Sequence, residues 1–377
     1  MRIKRLVLVI AAVLILLPGI AGVAGFGNLY AIEENRNRKQ LPGAEEVREQ
    51  GYAAINDWFN DNFGLRDILI RLQHQIDYSV FKYSKTLYFS EIEGKEYLHY
   101  KSVVAEEQLY NETMSEETQD RILGVYREIK ETLEERSIDF KFLIPPQKNE
   151  VLEGADRQLP IIRPEYNRYY KMQDIFENSD LAVNYVNVIG ILKESNAIAP
   201  VFYQTDFHWN DFGAAVAFGK VINAYAEDLG MNEVYSCEDF DFLTFQPGYN
   251  NAQLASLSVL MYDIPFETTV NRRLEYHSNI VQDEAYPDYV VWENPSVSVF
   301  EKAVLFIGDS YTPPALYSYN GTSSGIVELF PKVYFCHWNY AKGALRNLPE
   351  DVGLVVVEAI ESNYFYLDSK VGVLLEQ

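Results

Sequence analysis

The amino terminus is dominated by an uncharged apolar stretch. Three of the first five residues are basic, and residues 6–32 then contain no charged side chain. About 20 apolar residues suffice to cross a bilayer as a helix, and a basic flank tends to stay in the cytoplasm. This pattern predicts a single membrane anchor in residues 1–32, with the rest of the chain outside the cytoplasm. A cleavable signal peptide stays open as an alternative, because residues 6–17 have the length of an h-region.

Residues 33–105 contain apolar positions at helical spacing. Four of these positions would share one face of a helix over residues 67–83: Ile68, Leu72, Ile76 and Val80. Such a stripe is typical of an amphipathic helix that packs on one side. We interpret residues 33–105 as a helical juxtamembrane segment that packs or spaces, without a catalytic role.

In residues 106–377, helical stretches alternate with short apolar runs. Ser115 is predicted to cap one helix, since a hydroxyl and the acidic residues after it stabilise a helix amino terminus. A second helix is predicted over residues 211–228. Five runs have the length and β-branched content of buried parallel strands: residues 140–144, 183–189, 303–307, 333–335 and 354–357. The alternation predicts an α/β sandwich with a mostly parallel sheet, whose ligands bind beyond the carboxyl ends of the strands.

Residues 238–300 fit this alternation poorly. They are rich in tyrosine and acidic residues and show no clear period. We interpret them as an insertion near the site, within a single domain that covers residues 106–377.

The composition is that of a folded, acidic protein. The chain has 377 residues and a formal net charge of −23. Binding to nucleic acid needs clustered lysine and arginine, and the sequence has no such block, which argues against DNA or RNA as a partner. Only two cysteines are present, Cys237 and Cys336, so the chain is neither a disulfide scaffold nor a cysteine-rich zinc module. One bridge between them and two separate thiols both remain compatible with the sequence.

Two short segments supply the three side-chain types that an activated serine requires. Asp206 and His208 are two positions apart, so in an extended segment both side chains point to one side of the backbone. Ser310 follows an apolar run and the turn residues Gly308 and Asp309. A serine is a weak nucleophile until an imidazole takes its proton and a carboxylate orients that imidazole. The Ser310 backbone amide is in addition a candidate oxyanion donor, with a second donor unassigned.

Each segment also has a structural interpretation. A lone Asp-x-His is often a surface loop or a pair of metal ligands, and Gly-Asp-Ser is often only a turn. No third metal ligand lies nearby in the sequence, and the other histidines have no ligand spacing, so we predict no metal and no cofactor. Together the two segments favour a catalytic triad.

In its motifs the chain resembles the alginate O-acetyltransferase family and the related DHHW proteins, which carry an SGNH-hydrolase-like domain. Several segments match in order: Glu34–Arg36, Asp61–Arg66, Gly94–Leu98, Ile144–Lys148, Asp206–Trp209 and Gly308–Tyr311. In ordinary SGNH hydrolases the serine block comes first, whereas here the dyad precedes the serine. The resemblance therefore implies a flavodoxin-like three-layer sandwich with circularly permuted motifs.

The resemblance also implies an activity. An extracytoplasmic acetyltransferase would move acetyl groups onto the hydroxyls of a secreted or cell-surface polysaccharide, through an acyl-enzyme on Ser310. No acetyl-CoA is expected outside the membrane, so a membrane-bound O-acyltransferase is the implied acetyl donor. Trp209, Tyr311 and Lys148 are candidate substrate contacts, although a solvated lysine at a strand end also accounts for Lys148.

Two other functions remain open. A carbohydrate esterase would use the same triad with water as the acceptor. A glycan-binding assembly subunit would use none of this chemistry.

Overall fold

The structure is a computed structural model that describes most of the chain. The described ranges are residues 12–13, 16–17, 20, 30–31, 36–64, 66–101, 115–155, 157–160, 168–237, 278–316 and 324–360. The predicted anchor in residues 1–32 therefore lies almost wholly outside the described residues. Among the residues that are described, no helix has the length and apolar character needed to span a bilayer.

The chain divides into two compact units, and the described part of the first lies within Met1–Leu87. It contains a short antiparallel pair of strands and three helices: β1 (Tyr30–Ala31), β2 (Arg36–Asn37), α1 (Ala44–Gln50), α2 (Tyr52–Asp61) and α3 (Arg66–Phe81). Helix α3 confirms the helix predicted over residues 67–83, but the expected packing of its apolar stripe is wrong for the described part of the chain, where all four positions are exposed: Ile68, Leu72, Ile76 and Val80. The buried Asp61 accepts a hydrogen bond of 2.6 Å from the Lys39 amide, which fixes the chain after β2 to the end of α2.

The segment predicted to be helical up to residue 105 contains a hairpin instead. Strands β3 (Leu87–Ile92) and β4 (Lys95–Tyr100) form a two-stranded sheet. Glu93 and Gly94 connect them, and both have positive φ angles, 52° and 76°. Positive φ at both central residues defines the type I′ turn that suits a two-residue hairpin loop. Glu93 and Gly94 therefore indicate a hairpin turn, and a helix over this part of residues 33–105 was a wrong prediction.

The second unit, described within Tyr88–Phe245 and Glu267–Gln377, contains the α/β domain. Its remaining helices are α4 (Glu116–Glu134), α5 (Lys148–Val151), α6 (Arg168–Glu177), α7 (Ile189–Asn196), α8 (Asp211–Asp228), α9 (Pro313–Leu316) and α10 (Ala341–Arg346). The strands of its large sheet are β5 (Asp139–Leu143), β6 (Asn279–Val281), β7 (Val290–Glu293), β8 (Ala303–Gly308), β9 (Lys332–His337) and β10 (Val352–Glu358).

This sheet is mixed, with the order β5-β10-β8-β9-β7-β6 in the described part of the chain. The first four strands in this order are parallel, and β7 and β6 add an antiparallel edge. Every residue of β8 and β10 is buried. Because successive side chains point to opposite faces, uniform burial means that other parts of the chain cover both faces of the sheet. The prediction of an α/β domain with a largely parallel sheet is confirmed.

Helix α4 forms where the sequence predicted it. The Ser115 hydroxyl accepts a hydrogen bond of 3.2 Å from the Thr118 amide, which satisfies one of the free donors at the helix start. The face that was expected to be apolar is buried in the core: Ile122, Val125, Tyr126, Ile129 and Leu133.

Two expectations were wrong in detail. Residues 183–189 form only a single bridge, in which Tyr185 pairs with Phe142, and helix α7 begins at Ile189. Their apolar side chains therefore serve the core and the start of a helix rather than a strand. The described part of the supposed insertion, residues 278–300, supplies β6 and β7 to the sheet edge, while residues 238–277 lie outside the described residues.

Helix α8 approaches the preceding loop closely, and Gly213 makes this possible. A Cβ at this position would lie 2.1 Å from the carbonyl oxygen of Val201 and 3.0 Å from Cβ of Trp209. The helix that follows the Asp206 and His208 loop therefore requires a residue without a side chain in its first turn.

We expect Gly213→Ala to lower the free energy of unfolding by about 3 kcal/mol, because the methyl group overlaps a rigid backbone carbonyl. Gly124→Ala is the matched control, since Gly124 lies in α4 and a Cβ there meets nothing within 4 Å. That control should gain about 0.5–1 kcal/mol from helix propensity. Urea unfolding of both variants measures the difference, and equal effects would contradict the close approach.

Candidate active site

A tight loop before α8 carries the predicted Asp-His pair. Phe202 and Trp209 form an antiparallel bridge, and the Tyr203 amide donates to the His208 carbonyl at 3.3 Å. The Asn210 side chain then caps α8 by accepting from the Gly213 amide at 2.9 Å. The dyad therefore lies at the tip of a closed loop, and the Asn210 cap fixes the end of this loop at α8.

The structure brings Asp206, His208 and Ser310 together. Asp206 Oδ1 lies 2.5 Å from His208 Nδ1 and also accepts the His208 backbone amide at 2.8 Å. His208 Nε2 lies 2.7 Å from Ser310 Oγ. Asp206 is buried, the His208 side chain is 17% exposed, and Ser310 is exposed. The three groups thus form a continuous hydrogen-bonded chain from the interior to the surface, which is the geometry of an activated serine.

Ser310 lies two residues beyond the end of β8, at the carboxyl edge of the sheet. The Asp309 carboxylate fixes this turn, because its two oxygens accept the amides of Tyr311 and Ile360, each at 3.0 Å. Ile360 follows the end of the neighbouring strand β10. The turn that carries Ser310 is therefore bonded to the end of the adjacent strand β10. Asp309, the second residue of Gly-Asp-Ser, thus has a structural role.

Glu358 supports the same turn from the interior of the domain. Its Oε2 accepts the Asp309 amide at 3.1 Å and the Thr312 hydroxyl at 2.7 Å, and the side chain is fully buried. A Cβ at Gly308 would lie 1.9 Å from Thr312 Oγ1 and 2.7 Å from Glu358 Oε2. The glycine before Asp309 is thus required by packing, not only by a turn preference.

The two buried carboxyl groups have opposite electrostatic behaviour. Burial raises the pKa of Glu358 well above its ordinary value, and the nearby charge of Asp309 raises it further. Burial also opposes ionisation of Asp206, but the hydrogen bonds from His208 and the charge of Lys148 outweigh it, so the pKa of Asp206 is lowered. The surroundings therefore favour the neutral form of Glu358, which supports the serine turn, and the ionised form of Asp206, which orients the imidazole.

The three predicted substrate contacts are all buried, which corrects the expectation of direct contact. The Trp209 indole donates to the Tyr311 carbonyl at 2.7 Å, and the Tyr311 hydroxyl donates to the Phe207 carbonyl at 3.0 Å. Trp209 and Tyr311 are 0% exposed, and Lys148 is 3% exposed. Trp209 and Tyr311 connect the two segments of the site internally, because their polar atoms bond to backbone carbonyls of the opposite segment.

Residues 103–244 match the model of the family described as the SGNH hydrolase-like domain of the acetyltransferase AlgX. The resemblance to the alginate O-acetyltransferase family is therefore confirmed. The matched stretch includes Asp206 and His208 and ends before Ser310. Residues 103–244 are therefore similar to an acetyltransferase domain of the SGNH-like type.

Several solved structures are similar to the chain at low sequence identity. PatB1 of Bacillus cereus is 14% identical, with 74% of this chain and 97% of that chain covered and a TM-score of 0.47. A DHHW family protein from Eubacterium siraeum is 13% identical, with 75% and 93% covered and a TM-score of 0.48. The O-acetyltransferase domain of Pseudomonas putida AlgJ is 16% identical, with 66% and 84% covered and a TM-score of 0.41. A comparison with curated protein sequences found no match.

Metal binding and disulfide formation are two further kinds of chemistry that histidine, cysteine and acidic side chains can support. Within the described ranges, no group of three or more histidine, cysteine, aspartate or glutamate side chains is arranged to hold a metal ion. Cys237 and Cys336 are not joined by a disulfide, and burial raises the pKa of the Cys336 thiol to about 12.

Some site residues were not found from the sequence. Glu358 ends an apolar strand and was given no role, although a charged residue directly after a fully apolar run was an available signal. The burial of Lys148 was also missed, because its partners are backbone carbonyls and carry no sequence signature.

We expect Glu358 to make the protein less stable as pH rises. The folded state keeps the Glu358 proton above the ordinary pKa of 4.5, whereas the unfolded chain releases it, so the free energy of unfolding falls with pH from there up to the raised pKa. One such proton contributes a slope of at most about 1.4 kcal/mol per pH unit.

Glu358→Gln keeps a carbonyl acceptor without the titration, so its unfolding free energy should fall less steeply above pH 4.5. The exposed Glu350→Gln serves as the control and should retain the slope of the unaltered protein. Denaturant unfolding across this pH range decides, and parallel curves for all three proteins would rule out a neutral Glu358.

Proposed function

We propose that this protein is an extracytoplasmic O-acetyltransferase that moves acetyl groups onto hydroxyls of a secreted or cell-surface polysaccharide. The hydrogen-bonded chain from Asp206 through His208 to Ser310 carries this proposal, because it is the arrangement that makes a serine nucleophilic. The match of residues 103–244 to an acetyltransferase domain favours acetyl as the transferred group.

The first half-reaction loads Ser310. His208 Nε2 takes the Ser310 proton while Oγ forms a bond to the acetyl carbonyl carbon of the donor. Collapse of the tetrahedral intermediate breaks the bond to the donor's leaving group, which receives the proton from His208. The Ser310 backbone amide is the proposed oxyanion donor, and each such donor contributes about 3 kcal/mol.

The second half-reaction unloads the acetyl group. His208 takes the proton of a sugar hydroxyl, whose oxygen attacks the acyl-enzyme, and the ester bond to Ser310 breaks. The proton then returns to Ser310 Oγ. Asp206 remains ionised in both steps and stabilises the positive imidazolium, which its lowered pKa favours.

The exposure of Ser310 favours a polymeric acceptor. Ser310 is exposed at the sheet edge, and Tyr311 beside it is buried. A long chain can reach an exposed nucleophile with one of its sugar units, without the whole molecule entering an enclosed pocket. An exposed site also admits water, so an esterase with the same triad is the second candidate.

The predicted anchor and donor belong to the same proposal. An uncharged stretch over residues 6–32 after a basic start would hold the catalytic domain at the outer face of the cytoplasmic membrane. A membrane-bound O-acyltransferase would supply acetyl groups there, since no acetyl-CoA is expected outside the membrane. The acidic surface, with a net charge of −23, makes nucleic acid an unsuitable partner.

We expect Ser310→Ala to lower the rate of p-nitrophenyl acetate cleavage by at least about 10³-fold, because the nucleophile is lost. The exposed Ser296→Ala is the matched control and should retain the rate. A serine-directed sulfonyl fluoride should label the unaltered protein once, on the peptide that contains Ser310. Failure of both cleavage and labelling would leave the role of a glycan-binding subunit.

The transferase and the esterase differ in where the acetyl group goes. With oligosaccharides added to the ester assay, a transferase should form acetylated sugar at the expense of free acetate, because the sugar hydroxyl competes with water for the acyl-enzyme. Mass spectrometry of the sugar products measures this partition. Acetate as the sole product with every neutral and acidic oligosaccharide tested would favour the esterase.

A further inference from the structure

Lys148 is a buried cation next to the active-site loop. It begins helix α5, directly after the segment that follows β5, and only 3% of its surface is exposed. Its ammonium donates hydrogen bonds to the carbonyl oxygens of Leu98, at 2.9 Å, and Gln204, at 3.3 Å. Leu98 belongs to hairpin strand β4, and Gln204 lies two residues before Asp206. One side chain therefore joins the hairpin to the loop that carries the dyad.

The hairpin and the dyad loop also contact each other directly. The Leu98 amide donates to the Gln204 carbonyl at 2.7 Å, and the Gln204 side chain donates to the Glu96 carbonyl at 3.2 Å. At the end of β4, the Tyr100 ring packs edge to face against Phe207, with ring centroids 5.1 Å apart. The Phe207 ring lies 3.9 Å from that of His208. Movement of β4 would thus be passed to the imidazole.

Burial of an ammonium group is costly unless hydrogen bonds or opposite charge compensate it. The two carbonyls satisfy part of this need, and the charge of Asp206 favours the cationic form. The neighbouring His99 adds no second cation, because burial and the charge of Lys148 lower its pKa well below the ordinary value, and it shares a hydrogen bond with Ser90. The charge that favours the cationic form of Lys148 is thus that of Asp206, which lies two residues beyond the hydrogen-bond acceptor Gln204.

We propose that Lys148 is a positioning residue of the triad: it fastens strand β4 to the dyad loop and stabilises the ionised form of Asp206. Lys148 does not touch the reacting atoms, since its ammonium bonds to the carbonyls of Leu98 and Gln204 and not to His208 or Ser310. The kinetic part of this inference rests on the proposed function, whereas the fastening of β4 does not.

The charge of Lys148 acts in a defined range of pH. Burial lowers the pKa of Lys148 to about 7, so the ammonium is fully charged only below that value. The charge of Lys148 also lowers the pKa of Asp206, so protonation of Asp206 occurs at acid pH, where Lys148 is charged. The cation therefore opposes this protonation in the range where it matters, and its removal should move the acid limb to higher pH.

A second buried lysine provides a matched control. Lys141, in the centre of β5, is 4% exposed and donates to the Val183 carbonyl at 2.8 Å. It also forms a salt bridge of 2.6 Å with Asp228, at the end of α8. Lys148→Met and Lys141→Met each remove one positive charge and the hydrogen bonds from an ammonium to backbone carbonyls. The bonds of Lys141, however, reach neither β4 nor the dyad loop.

Hydrogen exchange tests the fastening without any assay of activity. In Lys148→Met, amide exchange at Leu98 and in the peptide containing residues 203–208 should rise by about 10-fold or more, because the bonds between β4 and the loop open more often. Lys141→Met should leave these amides unchanged relative to the rest of the domain. Equal exchange in the two variants would overturn the fastening of β4 by Lys148.

The kinetics of p-nitrophenyl acetate cleavage test the effect on the dyad. We expect Lys148→Met to lower kcat by about 10- to 100-fold with little change in KM, as a displaced catalytic group typically does. The acid limb of kcat/KM should move up by about 0.5–1 pH unit, as expected for the loss of one nearby charge. Lys141→Met should keep the midpoint of that limb, whatever its stability.

Three outcomes distinguish the positioning role of Lys148 from the proposed function of the protein. An unchanged kcat and acid limb in Lys148→Met, together with cleavage that requires Ser310, would overturn the positioning role and leave the proposed function intact. Absence of cleavage that requires Ser310 in the unaltered protein would refute the proposed function, and hydrogen exchange alone would then decide the role of Lys148. A shift of the acid limb and faster exchange only in Lys148→Met would support both.

Discussion

The hydrogen bond between His208 and Ser310 is the constraint on which the site depends, because it joins segments 102 residues apart. Each partner is held on its own side by a rigid support. The imidazole is fixed by Asp206, which uses one oxygen for both the ring and the backbone amide of His208. The serine is fixed by the Asp309 turn at the end of β8. The short contact therefore reflects two prearranged surfaces and not a single flexible side chain.

Local patterns were sufficient to predict much of this architecture. The cap at Ser115, the buried face of α4 and the central strands all follow from helix caps, helical spacing and apolar runs, which depend on neighbouring residues. The proximity of Asp206, His208 and Ser310 was also predictable, since these residues lie at a loop before a helix and at a strand end. Where prediction failed, the deciding contacts were distant in sequence or involved the backbone, as for the hairpin β3-β4 and the partners of Lys148.

The environment of each carboxyl group, and not its residue type, decides its role. Asp206 and Glu358 are both buried, yet hydrogen bonds from His208 favour the charged form of one, and burial beside Asp309 favours the neutral form of the other. Neither the composition nor the motifs of the sequence predict that the pKa values of these two carboxyl groups shift in opposite directions. Because its raised pKa favours the neutral form, Glu358 supports the backbone of the Ser310 turn without adding a second buried negative charge beside Asp309.

The position of β10 has a consequence for biosynthesis. This strand is the last of the large sheet along the chain, yet it lies between β5 and β8 and pairs with both. Strand β5 therefore cannot join β8 and β9 in one sheet before β10 has been synthesised, because β5 and β8 have no direct pairing with each other in the described sheet. Long-range pairing of this kind folds slowly and cooperatively. The turn that carries Ser310 is thus completed only after β10 has been made, because the Asp309 carboxylate in this turn accepts the amide of Ile360.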